Sequence, residues 1–313
     1  MPEIVFHHFF ARKVFDQLPE RVTPAIRPEI YFTGARGPDP LGIVRFWQLP
    51  VWKREHRKSF IMHHQRSGIF FRELAAATRS GDRQIRDDLF SYLCGFLTHY
   101  YLDANCHPYI IYRTGLGAGT AGNHRSMEHA MDRDLLREHQ LSLHERPISR
   151  SILASTGLPA GMKTAIDRVY YSTFGWENTW KLINNALKDE RRFVRLMEDP
   201  RGRLDKAIPK WMHNGTLRSL SYAEQAYQQA DYWNNSHTLW KNPYDPSICS
   251  NRSLKELETE ALSKATEVIP RLMDHIYGQG SYPEEIGSLS YESGLPTDDA
   301  RNQRNPQYDL YPR

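Results

Sequence analysis

Cysteine is scarce in this 313-residue chain: three residues, Cys94, Cys106 and Cys249, at spacings that form neither a disulfide framework nor a metal or redox motif. Long apolar runs are missing too. No stretch approaches the roughly 18 consecutive apolar residues of a membrane span. The N-terminus, MPEIVFHHFF, lacks the basic start, apolar middle and small-residue cleavage site of a secretory signal. The chain therefore reads as cytoplasmic, with export by another route left open. Charge of one sign is absent as well. The net charge is +4, and the densest basic cluster, KREHRK at 53–58, is short and reads as a solvated helix face. Nucleic acid as a partner gets little support from that balance. Several catalytic templates are also missing: no H-E-x-x-H, no adjacent His-Asp pair, no G-x-S-x-G elbow and no P-loop.

Alternating strand patterns and internal repeats are scarce, whereas helical spacing of apolar residues runs through most long segments. Apolar residues and aromatics make up 40% of the chain, enough for a substantial core. The spacing predicts helices over 5–18, 59–77, 83–106, 123–140, 160–187, 189–197, 217–233 and 253–277, with a capping box from Ser253 and Glu256 opening the last. Residues 22–55 read as an irregular connection and 115–122, GLGAGTAG, as a flexible loop. The expected fold is all-α: a single multi-helix domain over 1–280 and a mobile C-terminal tail over 281–313, where Gly, Ser, Pro and charge dominate.

Histidine is abundant and unevenly placed. Nine of the 14 histidines precede residue 130. In HYYLDANCHP, His99, Asp103 and His107 recur every four residues, so on a helix they share one face. The flanking run LFSYLCGFL argues that this face is buried. His124 and Glu128 repeat the spacing, GPDP at 37–40 holds Asp39 in a turn, and histidine doublets stand at 7–8 and 63–64. Ionisable groups on an apolar helix are costly to bury unless something pairs with them, and one divalent cation compensates several at once. Imidazole with carboxylate suits zinc, and an open position on such a site activates water near neutral pH. The plain alternative is that each i,i+4 His–carboxylate pair is a helix-surface hydrogen bond. His56 and His129 read as structural, and Cys106 beside His107 is no evidence of a catalytic Cys/His pair.

The pieces FHHFFARKV, GARGPDP, MHHQRSG, GFLTHYYLDANCHPYI and NHRSMEHAMDRDL, in that order over roughly residues 5–135, resemble the bacterial zinc-dependent phospholipase C family, a relative of the zinc-dependent single-strand-specific nucleases. The resemblance implies an all-α enzyme carrying two or three Zn2+ ions in a cleft. On it, Asp39, His63, His99 and Asp103 hold the first zinc, and His107, His124 and Glu128 the second. His7, Asp103 as a bridge and the N-terminal backbone would hold a third. The phase of the flanking residues selects His7 and His63 from their doublets. Asp39 corresponds to the residue favoured as general base in these phospholipases.

Two departures stand out. Secreted members of that family begin, after processing, with a tryptophan whose amine and carbonyl bind zinc, whereas this chain begins Met1-Pro2. Only three residues separate Asp103 from His107, where those enzymes have five. Either the helix runs on and presents His107 in line, or the second zinc sits differently. The expected activity is phosphodiester hydrolysis, phospholipase C-like, with a phospholipid or other phosphodiester as substrate and transient contact with a membrane surface. Phe46, Trp47 and Trp52 are candidates for the cleft rim or a surface contact, with burial in the core the open alternative. Two rivals remain: a nucleotidase or single-strand nuclease on the same metals, and a non-catalytic protein whose metals only staple its helices.

Overall fold

A computed structural model describes residues 4–116, 120–154, 157–199, 201–207 and 231–310. Its helices are α1 (Ile4–Gln17), α2 (Pro28–Gly34), α3 (Leu49–His64), α4 (Ser67–Ser80), α5 (Arg83–Thr114), α6 (Ala121–Glu138), α7 (Lys163–Phe174), α8 (Thr179–Met197), the short α9 (Arg203–Ala207) and α10 (Leu254–Tyr277). Among the described residues the strands are β1 (Trp240–Asn242) and β2 (Asp245–Ser250), one antiparallel pair. The fold is all-α. No described helix is long and apolar enough to cross a membrane.

Helix α5 is the axis. Asp82 caps its start by accepting from the Ile85 amide at 3.1 Å, and residues 88–104 are buried on every side. Helices α1, α2, α4, α6 and α10 pack around it. The α2–α5 crossing is closest where both helices carry glycine. A Cβ on Gly95 would lie 1.9 Å from the Tyr31 carbonyl oxygen, and one on Gly34 would lie 2.3 Å from that of Tyr92. This approach sets the turn after α2, which carries Asp39, directly against the middle of α5. Helix α1 is seated by a carboxylate from another helix. Asp132 of α6 accepts from the Phe6 amide at 3.0 Å and the Val5 amide at 3.3 Å, filling donors that a helix N-terminus leaves open.

Several sequence expectations change in the folded chain. Residues 59–77 are two helices, because Arg66 turns left-handed at φ 60° and separates α3 from α4. Neither glycine nor proline marks that turn. Helix α3 starts inside the stretch expected to be irregular, with Pro50 in its first turn, where a missing N–H costs nothing. Residues 160–187 break at Gly175, whose φ of 73° ends α7, and α8 then runs unbroken through residue 188. Helix α5 continues eight residues beyond 106, through Pro108, to Thr114. The capping box at Ser253 and Glu256 is present. Most of the expected helix over 217–233, and part of the loop over 115–122, lie outside the described residues.

Within the expected C-terminal tail, residues 283–295 place several side chains in the core. Ile286, Tyr291 and Leu295 are buried, and the Tyr100 hydroxyl donates to the Ile286 carbonyl at 2.8 Å. Farther on, the Asp309 amide donates to the Tyr112 carbonyl at 2.9 Å. A few widely spaced apolar side chains, each with its own slot, hold a segment whose average composition is polar.

Candidate metal centre

The stripe His99, Asp103, His107 lies on one face of α5, and the helix runs straight through it, so the short spacing before His107 keeps that histidine in line. Asp103 is the hub, 1% exposed. Its Oδ1 lies 3.1 Å from His7 Nε2 of α1 and 3.7 Å from His107 Nδ1. Its Oδ2 lies 3.0 Å from His99 Nε2 and 3.7 Å from His63 Nε2 of α3. Asp39 reaches in from the turn after α2, with Oδ1 3.1 Å from His63 Nε2 and Oδ2 4.0 Å from His99 Nε2. On α6 the His124 Nε2–Glu128 Oε1 distance is 2.7 Å. All eight residues singled out in the sequence thus converge on one region. Three groups have donor atoms mutually within 4.8 Å: His7, His99, Asp103; Asp39, His63, His99; and His107, His124, Glu128. Of each doublet, His7 and His63 face the cluster. His8 instead lies against Phe32, and His64 bonds Glu292. The N-terminal backbone, expected to serve a third zinc, lies outside the described residues.

Electrostatics make the cluster interdependent. Burial pushes Asp39 up, but His99 and the hydrogen bond from His63 outweigh it and hold the carboxyl at about 2. Burial acts the same way on Asp103, which His107, His99 and His7 together hold well below the usual range. Glu128, buried too, is held down chiefly by His124. Burial pulls His63 down, yet Asp39 and Asp103 leave it raised. For His7 burial wins, assisted by His99, and its pKa is lowered.

The donor set fits divalent metal. Three imidazoles have Nδ1 engaged away from the carboxylate that Nε2 faces: His63 donates to the Ser59 carbonyl at 2.8 Å, His99 to Ala35 at 3.3 Å, and His124 Nδ1 sits 3.2 Å from Thr114 Oγ1; His107 Nδ1, the nitrogen nearer Asp103, donates to the Tyr291 carbonyl at 3.1 Å. Such outer bonds fix tautomer and ring orientation in metal-binding histidines. His99 Nε2 and both Asp103 oxygens are buried without a hydrogen-bond partner among the described residues, although 3.0 Å separates His99 Nε2 from Asp103 Oδ2. These atoms approach one another without aligning as donor and acceptor, as ligands around a shared cation do.

A sequence profile decides the family: that of zinc-dependent phospholipase C matches residues 6–191. The chain belongs to the zinc-dependent phospholipase C family. No curated protein and no solved structure matches it. Membership brings zinc dependence and hydrolase chemistry, and the matched segment contains all eight clustered residues.

Sequence reasoning missed several residues that shape this phospholipase C-family site. Gly37 has φ +53°, and a Cβ there would lie 2.3 Å from His99 Cδ2, so the turn rests directly on the imidazole. Tyr291, beyond the matched segment, accepts from His107 through its carbonyl and donates its amide to the His63 carbonyl at 2.8 Å. Its ring stands edge-on to His63, with centroids 5.2 Å apart. Glu292 joins His64 Nε2 at 2.8 Å to the Tyr244 hydroxyl at 3.0 Å. No spacing rule links these residues to the histidine stripe. Gly37 alone carried a local signal, standing inside GARGPDP.

Proposed function

We propose that this chain hydrolyses phosphodiesters with phospholipase C-like chemistry, at the cluster built on Asp103 and Asp39. The observation that carries the reading is the convergence of three His–carboxylate groups on buried carboxylates, in a chain of this family. Asp39, His63, His99 and Asp103 would hold one zinc, His107, His124 and Glu128 a second, and His7 with Asp103 would contribute to a third. Zinc, when bound, supplies positive charge that neutralises a phosphoryl group and activates water near neutral pH. Asp39 has the acceptor role: one oxygen meets His63 and the other faces His99, which leaves the carboxylate fixed to orient an attacking water and take its proton. The Ser59, Ala35 and Tyr291 carbonyls keep His63, His99 and His107 in register.

A phospholipid is the substrate favoured by family and surface together. Leu49 and Phe60, 63% and 54% exposed, share one face of α3 with exposed Lys53 and Arg57, and Trp47 is exposed just before it. The same helix carries His63 in its last turn, so an apolar and basic face suited to transient contact with an anionic lipid surface leads to the cluster.

The test pairs metal content with hydrolysis. Wild type should carry two or three zinc ions by elemental mass spectrometry and cleave both a chromogenic phosphodiester and short-chain phosphatidylcholine. Asp39→Asn should lose at least ~100-fold in kcat, and Asp103→Asn should lose zinc as well. Zinc without phosphodiester cleavage would leave a metal-stapled helical protein. Cleavage confined to nucleotides or single strands would move the assignment to the nuclease side of the superfamily.

A further inference from the structure

Arg36 stands three residues before Asp39 and is 9% exposed. Its Nη2 pairs with the Glu190 carboxylate of α8 and lies 3.4 Å from the Leu187 carbonyl oxygen. Its Nε and Nη1 are buried, and among the described residues they have no hydrogen-bond partner. Guanidinium donors withdrawn from water without an acceptor are costly. The side chain is not remote from the chemistry. It lines one pocket together with His7, Asp39, Ala35, Phe32 and Glu190. Burial, with the Arg191 guanidinium adding to it, pulls Arg36 down to about 9.

We propose that Arg36 forms an anion subsite abutting the metal centre, in which the donors left free by Glu190 take oxygens of a phosphoryl group. The inference rests on the phosphoester reading above for the identity of the anion. Glu190 has the complementary part: it ties Nη2 to α8 and leaves Nε and Nη1 without an acceptor. A guanidinium suits this task because its planar donor set matches phosphate oxygens and stays charged where an ammonium would not. The recognised group comes either from the phosphodiester substrate or from a phosphate-bearing product, and the two sources separate kinetically.

The experiment titrates inorganic phosphate into the zinc-loaded full-length protein by calorimetry, for wild type, Arg36→Gln and Arg36→Lys. Zinc stoichiometry and thermal unfolding are measured on the same samples. Phosphate affinity should fall at least tenfold in Arg36→Gln and less in Arg36→Lys, with zinc content unchanged. With a soluble phosphodiester, a raised KM in Arg36→Gln assigns the subsite to the substrate, and a weakened phosphate inhibition constant alone assigns it to the product. Should Arg36→Gln unfold because Glu190 is left as an unpaired buried charge, the double variant Arg36→Gln/Glu190→Gln removes both charges and carries the same titration.

Unchanged phosphate affinity in a folded, zinc-loaded variant overturns the proposal and leaves Arg36 as a structural partner of Glu190 with an ordered water on its other donors. Absence of measurable phosphate binding to zinc-loaded wild type at millimolar concentration overturns it too. The phosphoester reading fails separately: wild type that binds phosphate through Arg36 yet cleaves no phosphodiester keeps the anion subsite and loses the enzyme. Phosphodiester cleavage with Arg36-independent phosphate binding does the reverse.

Discussion

Gly37→Ala is the sharpest test of how the fold holds His99. The methyl group would lie 2.3 Å from His99 Cδ2 and 2.4 Å from Cγ, so the ring has to retreat by about 1 Å to recover van der Waals contact. The ring has nowhere to go. His7 stacks on it with centroids 4.0 Å apart, and Nδ1 is held to the Ala35 carbonyl at 3.3 Å. Two costs therefore add. Alanine at φ +53° is strained by about 1–2 kcal/mol, and overpacking against a fixed ring costs about 1–3 kcal/mol more. Gly175→Ala separates them, since Gly175 has φ +73° with nothing within 4 Å of its would-be Cβ. It should show the strain alone.

Guanidinium unfolding of the zinc-free proteins gives the two stabilities, and competition with a chelator gives zinc affinity. Gly37→Ala should lose about 1–3 kcal/mol more than Gly175→Ala and bind zinc about 10–100-fold more weakly, while Gly175→Ala keeps wild-type affinity. Zinc-saturated Gly37→Ala should then lose a further ~1.4–2.8 kcal/mol, because ligand binding and stability are linked. Equal losses in the two variants, with equal chelator midpoints, would refute the idea that the turn sets the His99 position.

Thr114→Val keeps the side-chain shape but removes the hydroxyl beside His124 Nδ1, so zinc affinity should fall about tenfold with the helical circular dichroism unchanged. The Glu292 carboxyl is pushed up by burial, but the His64 hydrogen bond outweighs this and holds it at about 2, against 4.5 unperturbed. Its contribution is therefore complete above pH 4.5 and is lost as pH falls towards 2. His64, raised by the same partner against burial, contributes below pH 6.5 and loses its share as pH rises through its folded value. Acid unfolding followed by fluorescence should show Glu292→Gln flattening the stability loss between pH 4.5 and 2; an unchanged profile would show that the pair is not linked to folding. Ser253→Ala removes one side of the capping box at the start of α10 and should cost about 1 kcal/mol in thermal unfolding, with zinc content unaltered.

The local part of the site was legible because helical spacing is a property of the chain itself. His99, Asp103 and His107 share a face whenever that stretch is helical, and so do His124 and Glu128. The capping box before α10 was readable for the same reason, and the order of the family's motifs pointed to zinc. Breaks inside apolar patterns were less legible. Arg66 takes a left-handed turn with no glycine to announce it, and Pro50 opens a helix where a run of prolines and glycines suggested none. The C-terminal segment was hidden by its composition, since Tyr291 acts through backbone groups that every residue type possesses.

The sequence by itself therefore determined the class of fold, the helix faces that carry the histidines, and the family. Tertiary structure decided what lies between those faces. It brought Asp39 to His63 and His99, buried Asp103 among histidines from two other helices as well as its own, set Tyr291 against His63 and His107, and left Arg36 with donors turned from water. The division follows from range: periodicity repeats within a few residues and survives in any helix, whereas a contact between α1, α3, α5 and a distant C-terminal segment exists only after the chain has closed the loops between them.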